Sequence, residues 1–202
     1  MAHNHSRIED AAKGFLPEWS KVSPRRLAHM QRVATLMLEW ATVLELRKRD
    51  RKRWYAAGLL HDALKGARAR EMKRLVPSAM TALPVPVLHG PAVAARLASE
   101  GVHDHGFLNA VAYHTLGHPG FEQIGLALYA ADFLEPGRTI RPKWRARLNA
   151  RMPLDLEGVV AEIVGGRISY LVSRGRGVRS ETMGLWNALN GGDAWAPVSA
   201  EF

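Results

Sequence analysis

The chain has 202 residues, 47% of them hydrophobic and 23% charged, which fits one globular domain with a buried core. It contains no cysteine, so disulfides and cysteine-based metal sites are excluded. Lysine and arginine number 28 against 19 aspartates and glutamates, and the net charge of +9 favours anionic partners, either nucleic acid or phosphorylated metabolites.

The first predicted elements are an N-terminal extension over residues 1–22 and a long helix. Residues 1–10 carry no secretory signal and no apolar run reaches the roughly 20 residues of a membrane span, so we expect a cytoplasmic protein without membrane contact. Apolar residues from Leu27 to Ala41 follow the spacing of one buried helix face, with Ser23 as the N-cap. His29 lies in the first turns of this helix.

A second helix is predicted from Arg53 to Lys65. This stretch is apolar almost all round, which is typical of a central helix rather than a surface one. The basic run at residues 47–53 before it indicates a solvated turn and helix start. His61 and Asp62 are neighbours near the end of the helix.

Proline-rich residues 84–91 predict a loop that leads into a helix at 93–98, and His89 is placed just before that helix. After a turn at Gly101, a further helix is predicted from Phe107 to His114. The chain therefore continues as helices joined by short loops.

The last predicted elements are an apolar helix at 124–134, with Asp132 near its end, and an amphipathic helix at 154–171. No segment alternates in the manner of a strand, so the predicted fold class is all-α. We expect one domain over residues 23–190 and a loose C-terminal tail over 191–202.

Six ionisable residues lie within or at the edges of these apolar segments, where an isolated charge costs on the order of several kcal/mol. A shared divalent metal satisfies them together, because imidazole and carboxylate suit iron, manganese or zinc. Any one histidine alone is more often an ordinary hydrogen-bonded residue, and it is the set that predicts a metal-dependent hydrolase. The set is His29, His61, Asp62, His89, His114 and Asp132.

Helical geometry indicates how these groups could share ions. The side chains of His61 and Asp62 diverge by about 100° on a helix, so the imidazole can face one metal while the carboxylate bridges to another. His29 meets them if the first two helices pack antiparallel, as a short connection favours. The remaining histidines are then available for a second metal or for phosphate.

The order His, His-Asp, Asp resembles the HD-domain superfamily of metal-dependent phosphohydrolases. The surrounding motifs are similar to its branch of bacterial symmetrical bis-nucleosyl tetraphosphatases: HDALK at 61–65, LHGP at 88–91, AYHTLG at 112–117 and LYAADFLEPGR at 128–138. The resemblance implies an HD-domain helical bundle that holds one or two divalent ions, with iron favoured and manganese or another ion as alternatives. It also implies cleavage of diadenosine tetraphosphate into two ADP, by attack of metal-bound hydroxide on a phosphorus.

The resemblance carries site roles over to matching positions. Ligands of a first metal correspond to His29, His61, Asp62 and Asp132. Residues that complete a second metal position or contact phosphate correspond to His89 and His114. Positions near the nucleotide phosphates correspond to Lys65, Thr115, Glu135 and Arg138.

Within this assignment Asp62 and Lys65 are the predicted catalytic residues. Lys65 follows Asp62 by one helical turn and can reach a phosphate beside the metal, although a surface salt bridge is its alternative role. His118 is placed among the substrate-binding residues, but it stands where many relatives have an arginine. Residues 141–151 are also richer in arginine than the resemblance leads us to expect.

Two other functions remain open. HD folds act on many substrates, so the substrate could be a mononucleotide or another phosphoester. A non-enzymatic alternative is a basic helical adaptor for RNA or ribosomes that binds through residues 173–179. The intact ligand set and the lack of aromatic residues within the basic run at 47–53 disfavour a nucleic-acid partner. The amphipathic C-terminal helix leaves room for a homodimer without requiring one.

Overall fold

In the computed structural model, residues 7–191 are described, and every regular element in that range is helical. The predicted all-α class is therefore confirmed. The predicted tail lies, apart from Gly191, outside the described residues. The ten α-helices are α1 (Arg7–Ala12), α2 (Pro24–Val43), α3 (Lys48–Leu60), α4 (Ala69–Leu75), α5 (Val85–Ser99), α6 (His105–Tyr113), α7 (Gln123–Leu134), α8 (Pro142–Asn149), α9 (Leu156–Ser173) and α10 (Ser180–Leu189), with a 3-10 turn at Ser78–Met80.

Among the described helices, α2 and α3 share the most extensive contact. The apolar face of α2 is fully buried at Met30, Val33 and Met37. At the crossing, a Cβ on Gly58 of α3 would lie only 2.6 Å from the Cα of Ala34, so the two backbones almost touch. This approach brings the end of α3 beside the first turns of α2.

Helix α7 runs through the centre of the bundle. Its residues from Ile124 to Ala131 are all buried, and it packs against α2, α3, α6 and α9. Because α7 is surrounded by helices, Asp132 near its end faces groups from several other elements.

The segment before residue 23 packs against the same core. Ala11 of α1 is fully buried, and the Lys52 ammonium donates to Glu9 over 2.7 Å. Farther along, the backbone N–H of Lys21 donates to the Ala63 carbonyl, and Lys21 in turn accepts from the N–H of Gly66. The N-terminal segment therefore holds the turn that follows α3.

Two predicted boundaries were wrong. Helix α3 ends at Leu60, and turns rather than helix extend over residues 61–66. His89 lies inside α5, not before it. The prolines suggested a loop, but Pro86 falls in the first turn, where its missing N–H has no intrahelical partner, and α5 continues through Pro91.

Helices α1, α4, α8 and α10 had no predicted counterpart. Helices α4 and α8 are short and largely charged, with Met72 and Leu148 as their only buried residues, so hydrophobic periodicity gives no signal there. Between residues 7 and 191, no helix combines the length and the apolar character needed to cross a membrane.

Candidate metal centre

Five segments of the bundle converge on one cluster of imidazoles and carboxylates. His29 comes from α2, His89 from α5 and Asp132 from α7, while His61 and Asp62 follow α3 and His114 follows α6. Their ligand atoms form overlapping groups within 4.8 Å of one another: His29 with His61 and Asp62; His61 with His114 and Asp132; and Asp62 with His89 and His114. All six predicted metal ligands are thus brought together.

The two oxygens of Asp62 face different halves of this cluster. Oδ1 lies 2.8 Å from Nε2 of His89 and 3.5 Å from Nε2 of His114. Oδ2 lies 3.6 Å from Nε2 of His61 and 3.9 Å from Nε2 of His29. The carboxylate therefore stands between two sets of imidazoles, which is the placement expected of a bridging ligand.

Backbone carbonyls orient two of the imidazoles. Nδ1 of His61 donates to the Gly58 carbonyl over 2.7 Å, and Nδ1 of His114 donates to the Val111 carbonyl over 2.8 Å. A carbonyl can only accept, so in each ring Nδ1 carries the proton and the Nε2 lone pair faces the cluster. This orientation is common among metal-binding histidines.

A buried carboxylate orients the third imidazole. Nδ1 of His29 lies 3.2 Å from Oε1 of Glu135, whose other oxygen accepts from Arg32 over 2.6 Å and from the N–H of Gly137 over 2.7 Å. Burial raises the pKa of Glu135, but hydrogen bonds from Arg32, Gly137 and His29 outweigh it and hold the pKa below its usual range. Glu135 is therefore anionic and lies behind His29, only 2% exposed, rather than at an open surface.

Burial keeps two histidines of the cluster, His61 and His89, neutral at pH 7. It lowers the pKa of His61 to about 4 and that of His89 to about 4. Burial also opposes ionisation of Asp62 and Asp132, but the imidazoles that face them, and Arg138 beside Asp132, hold the pKa of each carboxyl below its usual range. At neutral pH His61 and His89 are therefore neutral and both carboxyls are anionic, the forms that bind metal.

Two buried nitrogen atoms that lack hydrogen-bond partners indicate that the cluster fits a divalent metal. Nε2 of His29 and Nε2 of His61 are buried and have no hydrogen-bond partner among the described residues. His29 Nε2 lies 3.1 Å from Oδ1 of Asp132, but the two are not aligned as a hydrogen bond. Such lone pairs are costly unless an ion binds them, and nitrogen and oxygen donors without thiolate suit iron, manganese or zinc.

Three cationic side chains surround the cluster. Lys65 Nζ lies 3.2 Å from both ring nitrogens of His89 and donates to the Pro86 carbonyl over 3.0 Å. Arg138 donates to Oδ1 of Asp132 over 2.6 Å. Burial lowers the pKa of Lys65, although Asp62 opposes this shift. Positive charge at the edge of the cluster suits an anionic substrate.

The third cation, Arg26, was missed by sequence reasoning. Its Nη1 donates to Oδ2 of Asp62 over 2.7 Å. Arg26 precedes His29 by three residues, so the two share one face of α2. This three-residue spacing was the sequence signal that could have identified Arg26.

Two further predicted substrate-binding residues lie beside His114. Thr115 Oγ1 is 3.1 Å from His114 Nε2. The His118 ring lies 4.6 Å from the Tyr113 ring, and its Nδ1 accepts from the N–H of Gly120. Burial lowers the pKa of His118, while Glu181 opposes the shift. His118 is not part of the clustered ligand groups.

A cleft of about 700 Å³ opens beside the cluster. Asp132 and His114 lie at its metal side, and α7, α8, α9 and the segment between α7 and α8 form its walls. The remaining lining residues are mainly arginine and aromatic or apolar: Tyr129, Phe133, Arg138, Ile140, Arg141, Trp144, Arg145, Ile163, Gly166, Arg167 and Tyr170. Walls of arginine and aromatic side chains suit an anionic ligand that carries an aromatic group.

Comparison with protein-family models matches the family described as HD domain over residues 26–163, which include all six clustered ligand residues. The chain belongs to the HD-domain family. It is 29% identical over 196 residues to a Staphylococcus aureus protein named symmetrical bis(5'-nucleosyl)-tetraphosphatase, covering 94% of this chain and 96% of that one. A Bacillus subtilis protein of the same name is 29% identical over 162 residues, covering 75% and 85% of the two chains.

A third relative, from Halalkalibacterium halodurans, carries the same name and is 25% identical over 175 residues, with 83% of this HD-domain chain and 92% of the relative covered. Among solved structures, one from Clostridium acetobutylicum, named as a predicted HD superfamily hydrolase involved in NAD metabolism, superposes with a TM-score of 0.72. The superposition covers 92% of this chain and 96% of the Clostridium acetobutylicum chain. Because the two sequences are only 23% identical, this similarity supports the fold alone.

Proposed function

We propose that this HD-domain protein is a metal-dependent hydrolase that cleaves diadenosine tetraphosphate symmetrically into two ADP. The observation that carries the proposal is the cluster of six ligand residues with two orphaned Nε2 atoms beside a cationic cleft. The three relatives named symmetrical bis(5'-nucleosyl)-tetraphosphatase support the choice of substrate.

We assign two ion positions that share Asp62. His29, His61 and Asp132 would hold the first ion and His89 with His114 the second, because one Asp62 oxygen faces His29 and His61 and the other faces His89 and His114, while Asp132 lies 3.1 Å from His29. Iron is the favoured metal, with manganese as the alternative. Such ions, when bound, supply a water of lowered pKa and neutralise charge on the phosphoryl oxygens.

The protein side chains bind and orient the polyphosphate. Lys65, held at the cluster by the Pro86 carbonyl, neutralises charge on a phosphate next to the scissile bond. Arg138 contacts Asp132 through Nη2 and Nε, and we assign its remaining nitrogen, Nη1, to the substrate. Thr115 lies beside His114 and His118 beside Tyr113, and we assign their hydroxyl and imidazole groups to phosphate oxygens.

We assign Glu135 a positioning role instead of direct substrate contact. Its oxygens are engaged by His29, Arg32 and the Gly137 N–H, and the residue is buried. An anionic acceptor behind His29 fixes the ring and increases the basicity of Nε2. The leaving nucleoside diphosphate is stable as an anion, so little proton donation is needed at its oxygen.

Product identification tests the proposal. Purified protein with measured metal content is incubated with diadenosine tetraphosphate, and the nucleotides are separated and quantified. We expect two ADP per substrate, and loss of at least 1,000-fold in rate for Asp62→Asn, roughly the scale of losing the metal contribution. Arg147→Gln, on the outer side of α8, is the control and keeps its rate. AMP with ATP, or faster turnover of mononucleotides, would contradict the proposal.

A further inference from the structure

The four arginines within residues 141–151 divide into two groups with different surroundings. Arg147 and Arg151 pair with Glu162 on α9, which also accepts from the Trp144 indole N–H over 2.7 Å. Arg151 additionally pairs with Asp155 over 2.6 Å. These contacts attach α8 to α9 and account for half of the arginine excess in this segment.

Arg141 and Arg145 instead line the cleft. They are four residues apart, so they lie on the same side of α8 and its N-terminal boundary. Within residues 7–191 neither forms an ion pair, which contrasts with the outer pair of arginines. The guanidinium of Arg141 lies 5.5 Å from the centre of the Trp144 ring.

The Arg145 guanidinium is held by two contacts, but one of its nitrogens lacks a hydrogen-bond acceptor. Its Nε donates to the Ile140 carbonyl over 2.6 Å, and its plane lies 3.9 Å from the centre of the Phe133 ring. Its Nη1 is buried and has no hydrogen-bond partner among the described residues. A buried guanidinium nitrogen without an acceptor is costly, and Arg145 lines the cleft, where an anion could approach its guanidinium group.

The proposed substrate carries negative charge that these two arginines can bind. A dinucleoside tetraphosphate cleaved at its centre extends two phosphates and a nucleoside beyond each side of the scissile bond, whereas a mononucleotide does not. Asp132 lines the same cleft as Arg141 and Arg145, so a phosphate chain that extends from the metal centre into this cleft can reach both arginines. Planar guanidinium groups suit consecutive phosphates in such a chain.

We propose that Arg141 and Arg145 form a second anion subsite that binds the phosphates of the leaving nucleoside diphosphate and thereby selects dinucleoside polyphosphates over mononucleotides. The identity of this ligand rests on the proposed function. The existence of an anion subsite on α8 does not, because it follows from the arginine geometry alone.

Binding of inorganic pyrophosphate to the full-length protein, measured by titration calorimetry, tests the subsite. We compare the protein with the double variant Arg141→Gln/Arg145→Gln, keeping the metal content of each sample recorded. We expect the dissociation constant to rise at least tenfold. The matched control, Arg147→Gln/Arg176→Gln, removes the same charge outside the cleft and shifts binding less than twofold. Circular dichroism verifies folding, and the exposed single variant Arg141→Gln, expected to weaken binding at least threefold, tests the subsite if the double variant unfolds.

Steady-state kinetics of the same variants tests whether the subsite binds the leaving half of the substrate. We expect KM for diadenosine tetraphosphate to rise at least tenfold in the cleft variant, with kcat changed less than threefold. Equal pyrophosphate binding by the cleft and control variants overturns the subsite. Weaker binding with unchanged KM overturns its assignment to the leaving half. If the unchanged protein does not hydrolyse this substrate, the proposed function fails, while lost pyrophosphate binding still supports the subsite.

Discussion

Asp62 receives more of the site's contacts than any neighbouring carboxylate. Four histidines place Nε2 within 2.8–3.9 Å of its oxygens, and Arg26 donates to Oδ2 over 2.7 Å. A carboxylate that is only 3% exposed needs a neighbouring cation, which Arg26 supplies and a bound metal would supply as well. The charge of Asp62 is therefore stabilised by the groups around it, and the orientation of an imidazole is in turn set by the group that its Nδ1 contacts.

Glu135→Gln tests that dependence at one residue. The change removes the negative charge behind His29 while keeping the size of the side chain, so we expect metal affinity to fall about 10- to 100-fold, as for other second-layer carboxylates. Competition with a chelator of known affinity measures it. Glu162→Gln removes a carboxylate that pairs with Arg147 and Arg151 instead, and should leave metal affinity unchanged. Equal affinities for the two variants would refute the positioning role.

At the scale of elements, close helix packing sets the positions of the ligands. Gly58 allows α3 to approach α2 until a Cβ would meet backbone atoms of Ala34. Its carbonyl also accepts the Nδ1 proton of His61. One residue thus joins the packing of two helices to the orientation of a proposed ligand.

Gly58→Ala should therefore destabilise the protein even though alanine favours helix. Overpacking against backbone costs about 1–3 kcal/mol, more than the helix-propensity gain of up to about 1 kcal/mol. Urea unfolding measures the net loss, which we expect near 1–2 kcal/mol. Gly177→Ala, at a position where no atom lies within 4 Å of the new Cβ, is the control and should change stability little. A stabilised Gly58→Ala variant would contradict the close approach.

Helices α3 and α6 are also joined by an ion pair. Arg53 donates to both oxygens of Asp104, over 2.5 and 2.7 Å, while Asp104 caps α6 by accepting from the Phe107 N–H over 2.9 Å. Burial raises the pKa of Asp104, but the Arg53 hydrogen bonds and the cap outweigh it and leave the pKa below its usual value of 3.8. The carboxylate therefore stabilises the fold above the unfolded pKa, and that stability is lost as the pH falls through the lower folded value.

Asp104→Asn keeps the cap and removes the ion pair. Because Asp104 is partly exposed, we expect a loss of only about 0.5–1 kcal/mol at pH 7. The difference from the unchanged protein should shrink as the pH falls below about 4, where the unfolded carboxyl becomes protonated. Denaturant unfolding at several pH values measures it. A difference that stays constant down to pH 2 would show that the ion pair is not its source.

For the whole molecule, the proposed ion positions connect segments that are distant in the chain. Ligand groups come from five segments between residues 29 and 132, so bound ions would link α2, α5 and α7 with the ends of α3 and α6. Ligands that bind only the folded state stabilise it in proportion to the logarithm of their concentration over Kd. Metal content should therefore influence global stability as well as activity.

Removal of metal should lower the melting temperature of the protein. The bare Nε2 atoms of His29 and His61 then lack partners, and the linkage free energy is about 2.7 kcal/mol at metal concentrations 100-fold above Kd. Differential scanning calorimetry before and after chelation measures the shift, and readdition of Fe²⁺ or Mn²⁺ should reverse it. The Asp62→Asn variant, which lacks the shared ligand, should respond much less. An unchanged melting temperature after complete removal would contradict tight binding.

Local sequence accounts for most of the helical framework. The apolar faces of α2, α6 and α7 predicted helices where they occur, and Ser23 and Asp104 cap α2 and α6 through their side chains. Short charged helices such as α8 escaped prediction because their position depends on ion pairs with α9 rather than on an apolar face. The prolines led to a wrong predicted start for α5, because the effect of a proline depends on its position in the helix.

The sequence by itself determined the all-α class, the set of six candidate ligands and the motifs that resemble the HD-domain family. These properties follow from residue type, short-range periodicity and fixed spacing. Only the tertiary structure decided that Arg26 contacts Asp62, that Glu135 lies behind His29, and that Arg141 and Arg145 line the cleft while Arg147 and Arg151 do not. Those contacts join residues through packing angles and side-chain burial, and such quantities depend on the whole chain folding together rather than on any local stretch of it.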